Sequence, residues 1–252
     1  MKNSFIQVDN FTLFIDKQVR LRNLNFSLEK NSILTIIGPT RAGKVNLIRS
    51  FNRSNELFHK VEIEGNIYVN GKSIYDNSNT NLNYLRRKHA YIPGNPIIFN
   101  GSVWDNLIIG LEIHKIEKKH WYNYIKYALE TLESWEFLKD RLDEDINKLS
   151  VLEKIIVTIA RAIVLTPDLL LFEDFTRNLD SSSFLEFADT FIRLRRKFTI
   201  LMVCYEFKTA AKLGTYTMLL KEGRLVEINE TTKFFSMPEK EETEEFLMGK
   251  FD

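Results

Sequence analysis

The stretch that decides the fold is Ile33 to Arg49, ILTIIGPTRAGKVNLIR. It begins as a run of β-branched apolar residues, which is typical of a buried strand, and it continues as a helical pattern after Lys44. The spacing from Gly38 to Gly43 and Lys44 is that of a phosphate-binding loop, in which small residues let successive backbone N–H groups face one anion. We therefore predict a strand, a tight loop and a helix, with Lys44 reaching the outer phosphates of a nucleotide.

The residue after the lysine departs from this motif. A phosphate-binding loop ordinarily has Ser or Thr there, because the hydroxyl binds the Mg²⁺ that accompanies the nucleotide. This chain has Val45, whose side chain cannot bind a hard cation. The loop would still form a positive cradle for an anion, and its expected binding residues are Gly38, Arg41, Ala42, Gly43, Lys44, Val45 and Asn46.

Composition places the chain among ordinary globular proteins. Its 252 residues, 44% of them hydrophobic and 27% charged, suffice for one large α/β domain or a domain with an inserted subdomain. A formal net charge of +1, with basic and acidic residues interspersed, argues against nucleic acid as a partner. No apolar run reaches the roughly 20 residues of a membrane span, and the single cysteine cannot form an internal disulfide. We expect a cytoplasmic protein.

Apolar periodicity predicts most of the other elements. Alternating residues favour two strands before the loop, Phe5 to Phe14 and Val19 to Leu28, which open the chain as antiparallel β. Further strands are predicted at Val61 to Val69, Ala90 to Ile92, Leu169 to Phe172, Thr199 to Val203, Met218 to Leu220 and Arg224 to Ile228. Helices are predicted at Tyr84 to Lys88, after Ser150, at Ser181 to Arg196, at Lys208 to Leu213 and in the acidic tail from Pro238 to Asp252. Asn77 to Asn83 is expected to be a polar surface turn, and Phe246 and Leu247 in the tail are expected to be available for docking.

A helical region interrupts this α/β pattern. From Ser102 to about Asn147 the period becomes helical, which indicates an inserted helical subdomain. One stripe of it is apolar and is expected to form core rather than a ligand site: Trp121, Ile125, Ala128, Leu129, Leu132 and Trp135.

The order of the motifs narrows the family. After the loop come IPGNP (92–96), the helical region, LS (149–150), LLLFED (169–174), RNLD (177–180) and VCYE (203–206). In this order the full chain resembles the ATP-binding subunits of ABC transporters. Its segments FNRSNELF (51–58), IEGNIYVNGKSIYD (63–76), DNLIIG (105–110), WEFLKDRLDE (135–144) and MPEKEETEEFLMGKF (237–251) are similar to those of the phosphate-import branch.

The resemblance implies an α/β fold, a P-loop NTPase of ABC type. It would have a central, mostly parallel sheet, an N-terminal antiparallel β subdomain and an inserted helical subdomain. The P-loop core and β subdomain would occupy residues 1–99 and 160–252, and the helical subdomain with the signature helix about 100–159. The resemblance also implies a head-to-tail dimer, a homodimer or a heterodimer with an intact ATPase subunit, that traps ATP between the loop of one protomer and the signature helix of the other.

Several catalytic positions that the resemblance implies are altered. The glutamine that senses Mg²⁺ and water falls on Gly94, which has no side chain, and the histidine that holds the outer phosphate falls on Tyr205. The acidic pair is reversed, with Glu173 at the metal-binding position and Asp174 at the position of the catalytic carboxylate. Mg²⁺ binding is therefore doubtful, and hydrolysis should fall by orders of magnitude because phosphoryl transfer depends on positioning and charge neutralisation.

The signature motif is altered as well. In place of Leu-Ser-Gly-Gly-Gln the chain has Leu149 followed by Ser150, Val151, Leu152 and Glu153, and branched side chains would block close approach of a partner's phosphate. Ser150 and Glu153 also fit a capping box, which would satisfy the helix's first N–H groups internally. Asp180, in the loop that couples the two protomers, is retained.

Other candidate residues have mostly structural explanations. An adenine base would stack on an aromatic residue near the end of the first strand, where Phe14 is followed by Ile15. Adjacent strand residues face opposite ways, so whether Phe14 serves depends on the strand register. Cys204 is expected in the core. The four histidines, His59, His89, His114 and His120, show no metal-like pairing and are expected at the surface.

These observations favour an ATP-binding subunit that resembles those of phosphate importers, binds nucleotide and hydrolyses it weakly or not at all. Its partners would be membrane permease subunits, which would dock around Gly94 to Trp104 and hold it on the inner face of the cell membrane. The alternative is a regulatory or scaffolding pseudo-ATPase that no longer drives transport. A chromosome-maintenance P-loop protein is disfavoured because the chain has no coiled-coil heptads.

Overall fold

The structure is a computed structural model that describes residues 4–57, 60–76 and 80–250. Its strands are β1 (Ile6–Ile15), β2 (Gln18–Leu28), β3 (Ile33–Ile37), β4 (Val61–Val69), β5 (Lys72–Ser73), β6 (His89–Ile92), β7 (Leu169–Phe172), β8 (Thr199–Val203), β9 (Tyr216–Lys221) and β10 (Arg224–Glu230). Its α-helices are α1 (Lys44–Ser50), α2 (Leu82–Lys88), α3 (Val103–Ile113), α4 (Trp121–Thr131), α5 (Trp135–Leu138), α6 (Val151–Ile163), α7 (Ser181–Leu194), α8 (Phe207–Leu213), α9 (Thr231–Ser236) and α10 (Glu241–Leu247).

The strands form two sheets, as the sequence predicts. The first is antiparallel with the order β2-β1-β4-β5, and the turn between β4 and β5 uses Asn70 and Gly71 with positive φ. The second has the order β10-β9-β3-β8-β7-β6, and all neighbours in it are parallel except the edge strand β10. The carboxyl ends of β3, β7 and β8 therefore meet at one edge of the central sheet, where open α/β sheets bind their ligands.

Alternation along the central strands divides the core into two clusters. In β3, Leu34 and Ile36 pack against α1 and the antiparallel sheet, whereas Ile33 and Ile37 belong to the cluster that includes the helices α3 to α8. The predicted apolar stripe of the helical region lies in this second cluster, with Ile125, Ala128 and Leu129 fully buried. The helices between β6 and β7 are thus packed on one face of the sheet.

Three expectations about local structure need correction. The predicted surface turn is partly helix, since α2 begins at Leu82 with Asn81 as its N-cap, while residues 77–79 lie outside the described ranges. His89 is buried rather than exposed, and its Nδ1 lies 2.7 Å from the Phe51 carbonyl oxygen. His59 lies outside the described residues.

The acidic tail is helical over α10, but its apolar side chains are not open for docking. The ring of Phe246 lies 5.2 Å from that of Phe207, and both Phe246 and Leu247 pack on the core cluster that includes the helices α3 to α8. Within the described ranges we find no helix with the length and apolar composition that a membrane crossing needs.

Candidate functional site

The loop from Gly38 to Gly43 has the backbone of a phosphate-binding loop. Gly38 and Gly43 have φ values of 147° and 98°, a region that favours glycine. A Cβ at Gly38 would lie 1.9 Å from the Leu220 carbonyl oxygen, and one at Gly43 would lie 2.8 Å from that of Arg20. Both glycines are therefore required by the packing of β9 and β2 against the loop.

Lys44 lies at the centre of this loop. Its ammonium donates to the carbonyl oxygens of Gly38 and Pro39, at 2.6 and 2.7 Å, and only 5% of the residue is exposed. Burial lowers the pKa of Lys44 to about 8. The lysine is thus held where an anion in the loop would meet it.

A cavity of about 390 Å³ opens in front of the loop. Its lining residues are Ile15, Asp16, Arg20, Thr40, Arg41, Ala42, Gly43, Lys44, Val45, Asn46, Arg49 and Tyr205. The structure thus places six of the seven predicted loop residues in the lining. The seventh, Gly38, is outside it and accepts a hydrogen bond from Lys44 through its carbonyl oxygen. Tyr205, which follows β8, also lines the cavity. Phe14 is not among the lining residues, whereas its neighbour Ile15, which packs in the core and is 4% exposed, is one of them.

The carboxylate of Glu173 is already bound to protein groups. Its Oε1 accepts hydrogen bonds from the Arg49 guanidinium at 2.9 Å and from the Tyr91 hydroxyl, and Gly94 N lies 3.4 Å from Oε2. Burial, followed by the hydrogen bond to Glu173, raises the pKa of Tyr91, so that its hydroxyl stays protonated and donates. Glu173, at the position predicted to bind the metal, is therefore neutralised by Arg49.

Asp174 is buried and has three donors of its own. Its Oδ1 accepts from the amide and hydroxyl of Thr176, at 3.0 and 2.5 Å, and its Oδ2 accepts from the Tyr205 amide at 2.8 Å. Only 4% of the residue is exposed, and it does not line the cavity. The carboxylate predicted to be catalytic thus joins the segments that follow β7 and β8.

The residues of this site do not fit Mg²⁺. Val45 has no oxygen ligand, Gly94 has no side chain, and Glu173 is paired with Arg49. A Cβ at Gly94 would lie 2.9 Å from the Asp174 carbonyl oxygen, so a longer side chain would require the backbone to shift. Among the described residues, no group of three or more His, Cys, Asp or Glu side chains is placed to hold a metal ion.

The altered signature forms the predicted capping box at the start of α6. Ser150 Oγ accepts from the Glu153 amide at 3.2 Å, and Glu153 Oε2 accepts from the Ser150 amide at 2.7 Å. Arg141 binds the other carboxylate oxygen. Burial raises the pKa of Glu153, but the hydrogen bonds from Ser150 and Arg141 outweigh it and leave the pKa below its ordinary value. Two of the N–H groups at the start of α6, those of Ser150 and Glu153, therefore have partners within the chain.

A larger cavity of about 930 Å³ lies beside this helix start. It is lined by all four signature residues from Ser150 to Glu153 and by Asp180, the N-cap of α7. Val151 and Leu185 are more than half exposed along it. The structure thus places the signature and the predicted coupling residue on one surface, separate from the loop cavity.

The sequence patterns did not reveal Arg49 and Tyr91, which hold Glu173. Arg49 is in the last turn of α1, and Tyr91 is in β6, which neighbours β7 in the sheet. Tyr91 is paired with Leu171, two residues before Glu173, through the parallel contact of β6 and β7, and no pattern in the sequence indicated this contact or the position of Arg49. Arg20, at the edge of the cavity, was missed as well.

Removal of the cap is expected to destabilise α6 measurably. The variant Ser150→Ala should lower the free energy of unfolding by about 1 kcal/mol, since the Glu153 amide loses its acceptor. Urea denaturation measures the change, and Ser102→Ala, which removes the matching capping box of α3, provides a control of similar size. Loss of stability in Ser102→Ala alone would show that the cap of α6 does not form in solution.

Comparisons with known proteins agree with this geometry. The ABC transporter family model matches residues 21–177. The phosphate import ATP-binding protein PstB 2 of Shouchella clausii (strain KSM-K16) is 27% identical over 248 residues, which are 98% of this chain and 92% of that protein.

Two solved structures share the fold. The structure of cbiO1 from Clostridium perfringens, part of the ABC transporter complex cbiONQ, matches with a TM-score of 0.81 and 19% identity over 99% of this chain and 97% of that one. A bacterial Atm1-family ABC exporter with ATP bound matches with a TM-score of 0.76 and 22% identity over 98% of this chain and 42% of the exporter chain.

Proposed function

We propose, since this chain belongs to the ABC transporter family, that it binds a nucleotide in the loop cavity and hydrolyses it weakly or not at all. The observation that carries the proposal is the contrast between the loop and the carboxylates. Lys44 and the loop glycines keep the arrangement that phosphates need, whereas Glu173 and Asp174 are both engaged by protein donors. Binding and turnover are therefore separated in this site.

The proposal includes a place in an importer. Similarity to the phosphate import protein of S. clausii supports a phosphate-import system, with membrane permease subunits as partners and a position on the inner face of the cell membrane. Ile97 and Phe99, in the segment predicted to receive the permease, are about half exposed, and Arg161 lies over the Phe99 ring. The core at residues 1–99 and 160–252 and the helical subdomain at about 100–159 would then move as the two parts of one domain.

A regulatory or scaffolding pseudo-ATPase is the second candidate. The capping box at Ser150 and Glu153 favours it, because two of the N–H groups at this helix start, those of Ser150 and Glu153, are bonded within the chain and not free to meet a partner's phosphate. Val151 adds a side chain where the motif requires bare backbone. In this case a dimer, with itself or with an intact ATPase subunit, would not close on two ATP molecules in the usual way.

The test combines binding with turnover and transport. We expect calorimetry to detect ATP binding to the wild-type protein and at least tenfold weaker binding to Lys44→Ala, since an ion pair to phosphate is lost. Transport by cells that carry Lys44→Ala should fall if the chain is a transporter subunit. Unchanged transport with lost nucleotide binding would favour the scaffold, and unchanged affinity would refute the proposed site.

Nucleotide affinity should depend on pH through Lys44. The free ammonium loses its proton near pH 8, and a bound phosphate favours the charged form, so affinity should be flat below this pH and fall above it. We expect binding to weaken by about tenfold from pH 8 to pH 9.5, measured by calorimetry. Lys44→Arg is the control, because a guanidinium stays charged over this range. A wild-type affinity that does not change with pH would contradict the role of the lysine.

A further inference from the structure

The geometry points to a ligand class for the loop cavity: we propose that it selects a polyphosphate chain with little regard to the base or to a divalent cation. Arg49 takes the place of a metal ion in part, because it neutralises Glu173 and leaves further N–H donors for a phosphate. This inference rests on the proposed function, because it concerns the same cavity. Three features support it: the charge of the lining, the position of Arg49, and the residue at the base end, which is the part of the cavity beside Ile15 at the end of β1.

The lining is strongly basic. Arg20, Arg41, Lys44 and Arg49 face the cavity together with one carboxylate, that of Asp16. These cations come from β2, the loop and both ends of α1, so they surround the opening rather than forming one line. Together with Glu173, which pairs with Arg49, these groups leave a net positive lining that offsets part of the charge of a triphosphate without a metal ion.

Arg49 connects the cavity with Glu173. Its side chain is 37% exposed, and its hydrogen bonds to Tyr91 and Glu173 use Nε and Nη2. A guanidinium has five N–H donors and binds phosphate oxygens in a fork. The same group can therefore neutralise the carboxylate and donate to a phosphate, which is what a divalent ion does between these two charges.

The base end of the cavity offers no stacking platform. Ile15 lines it, whereas Phe14, its neighbour in β1, does not. Tyr205 is the aromatic residue of the lining, but its ring lies 5.2 Å from Nζ of Lys44, which would hold phosphate, and 5.0 Å from Cζ of Arg177, which is outside the lining. Without a stacking contact the base adds little to the binding free energy. Nucleotides with different bases should therefore bind with similar affinity.

Calorimetry on the full chain tests the inference with four probes, ATP, GTP, CTP and inorganic tripolyphosphate, each with EDTA and with Mg²⁺. We expect the three nucleotides to agree within about threefold, tripolyphosphate to bind within about tenfold of ATP, and EDTA not to weaken binding. Arg49→Gln should weaken all four probes by about tenfold or more, because a charged donor is lost. Arg22→Gln, which removes an exposed arginine outside the lining, should change none of them.

A gain of specificity provides the second arm. Ile15→Tyr adds a ring where the lining meets the core, and where it folds, as urea denaturation shows, it should raise the affinity for ATP relative to tripolyphosphate by about tenfold. Arg41→Gln, which removes an exposed arginine of the lining, should weaken all four probes and keeps the test decisive if Arg49→Gln folds poorly.

The outcomes separate the two proposals. If no probe binds, the proposed nucleotide site is wrong and the ligand class falls with it. If ATP binds, but at least tenfold more tightly than CTP and tripolyphosphate or only with Mg²⁺, the site stands and the inference of a base-indifferent, metal-independent polyphosphate site is overturned.

Discussion

Purified protein is expected to release phosphate from ATP at least about a thousandfold more slowly than an ABC transporter subunit with an intact site, because the removal of even one charge-stabilising donor commonly costs a hundredfold or more. Here Val45 and Gly94 remove two contributors outright, and Arg49 occupies Glu173. Asp174 is buried away from the cavity. A phosphate-release assay at saturating ATP, run beside the intact subunit, measures the difference.

Restoring one residue should not recover activity. Val45→Ser supplies a hydroxyl, but Glu173 remains paired with Arg49 and Tyr91, so the metal still lacks its carboxylate. The assay therefore includes Val45→Ser. Lys44→Ala is the control for contaminating enzymes, because phosphate that this variant still releases cannot come from the loop cavity. Rapid release by the wild-type chain that Lys44→Ala abolishes would contradict the loss of hydrolysis.

Much of the fold could be predicted because its signals are local. The bounds of β4, β7 and β8 were predicted without error, since each is an alternating or fully apolar run with polar residues or Pro167 and Asp168 at its border. The start of α2 was missed because its N-cap, Asn81, lies within a polar run that resembles a turn. His89 was misplaced because its partner, the Phe51 carbonyl, is 38 residues away.

The candidate site shows the same division between local and distant information. The loop backbone and the capping box of α6 depend on residues a few positions apart, so spacing alone predicted them. The state of Glu173 depends on Arg49 and Tyr91, which are 124 and 82 residues distant. Hydrogen bonds and ion pairs to residues distant in the sequence decide whether a carboxylate is free to bind a ligand. The local sequence around Glu173 does not show them.

Asp174 is expected to contribute to stability more than to chemistry. Replacement by Ala leaves the amides of Thr176 and Tyr205 and the hydroxyl of Thr176 without their acceptor in a buried place, which should cost about 3 kcal/mol or more in free energy of unfolding. Equilibrium denaturation in urea measures this cost. Tyr205 should also lose its position over Lys44, because its amide is tied to the carboxylate.

Glu173→Gln is the matched control for this experiment, since it changes the neighbouring carboxylate at the same edge of the sheet. The amide oxygen still accepts from Arg49 and Tyr91, and the pair is partly exposed, so the loss should stay below about 1 kcal/mol. If Asp174→Ala were as stable as Glu173→Gln, the carboxylate would be free of its structural bonds. It would then be available to orient water, and its burial could not account for a loss of turnover.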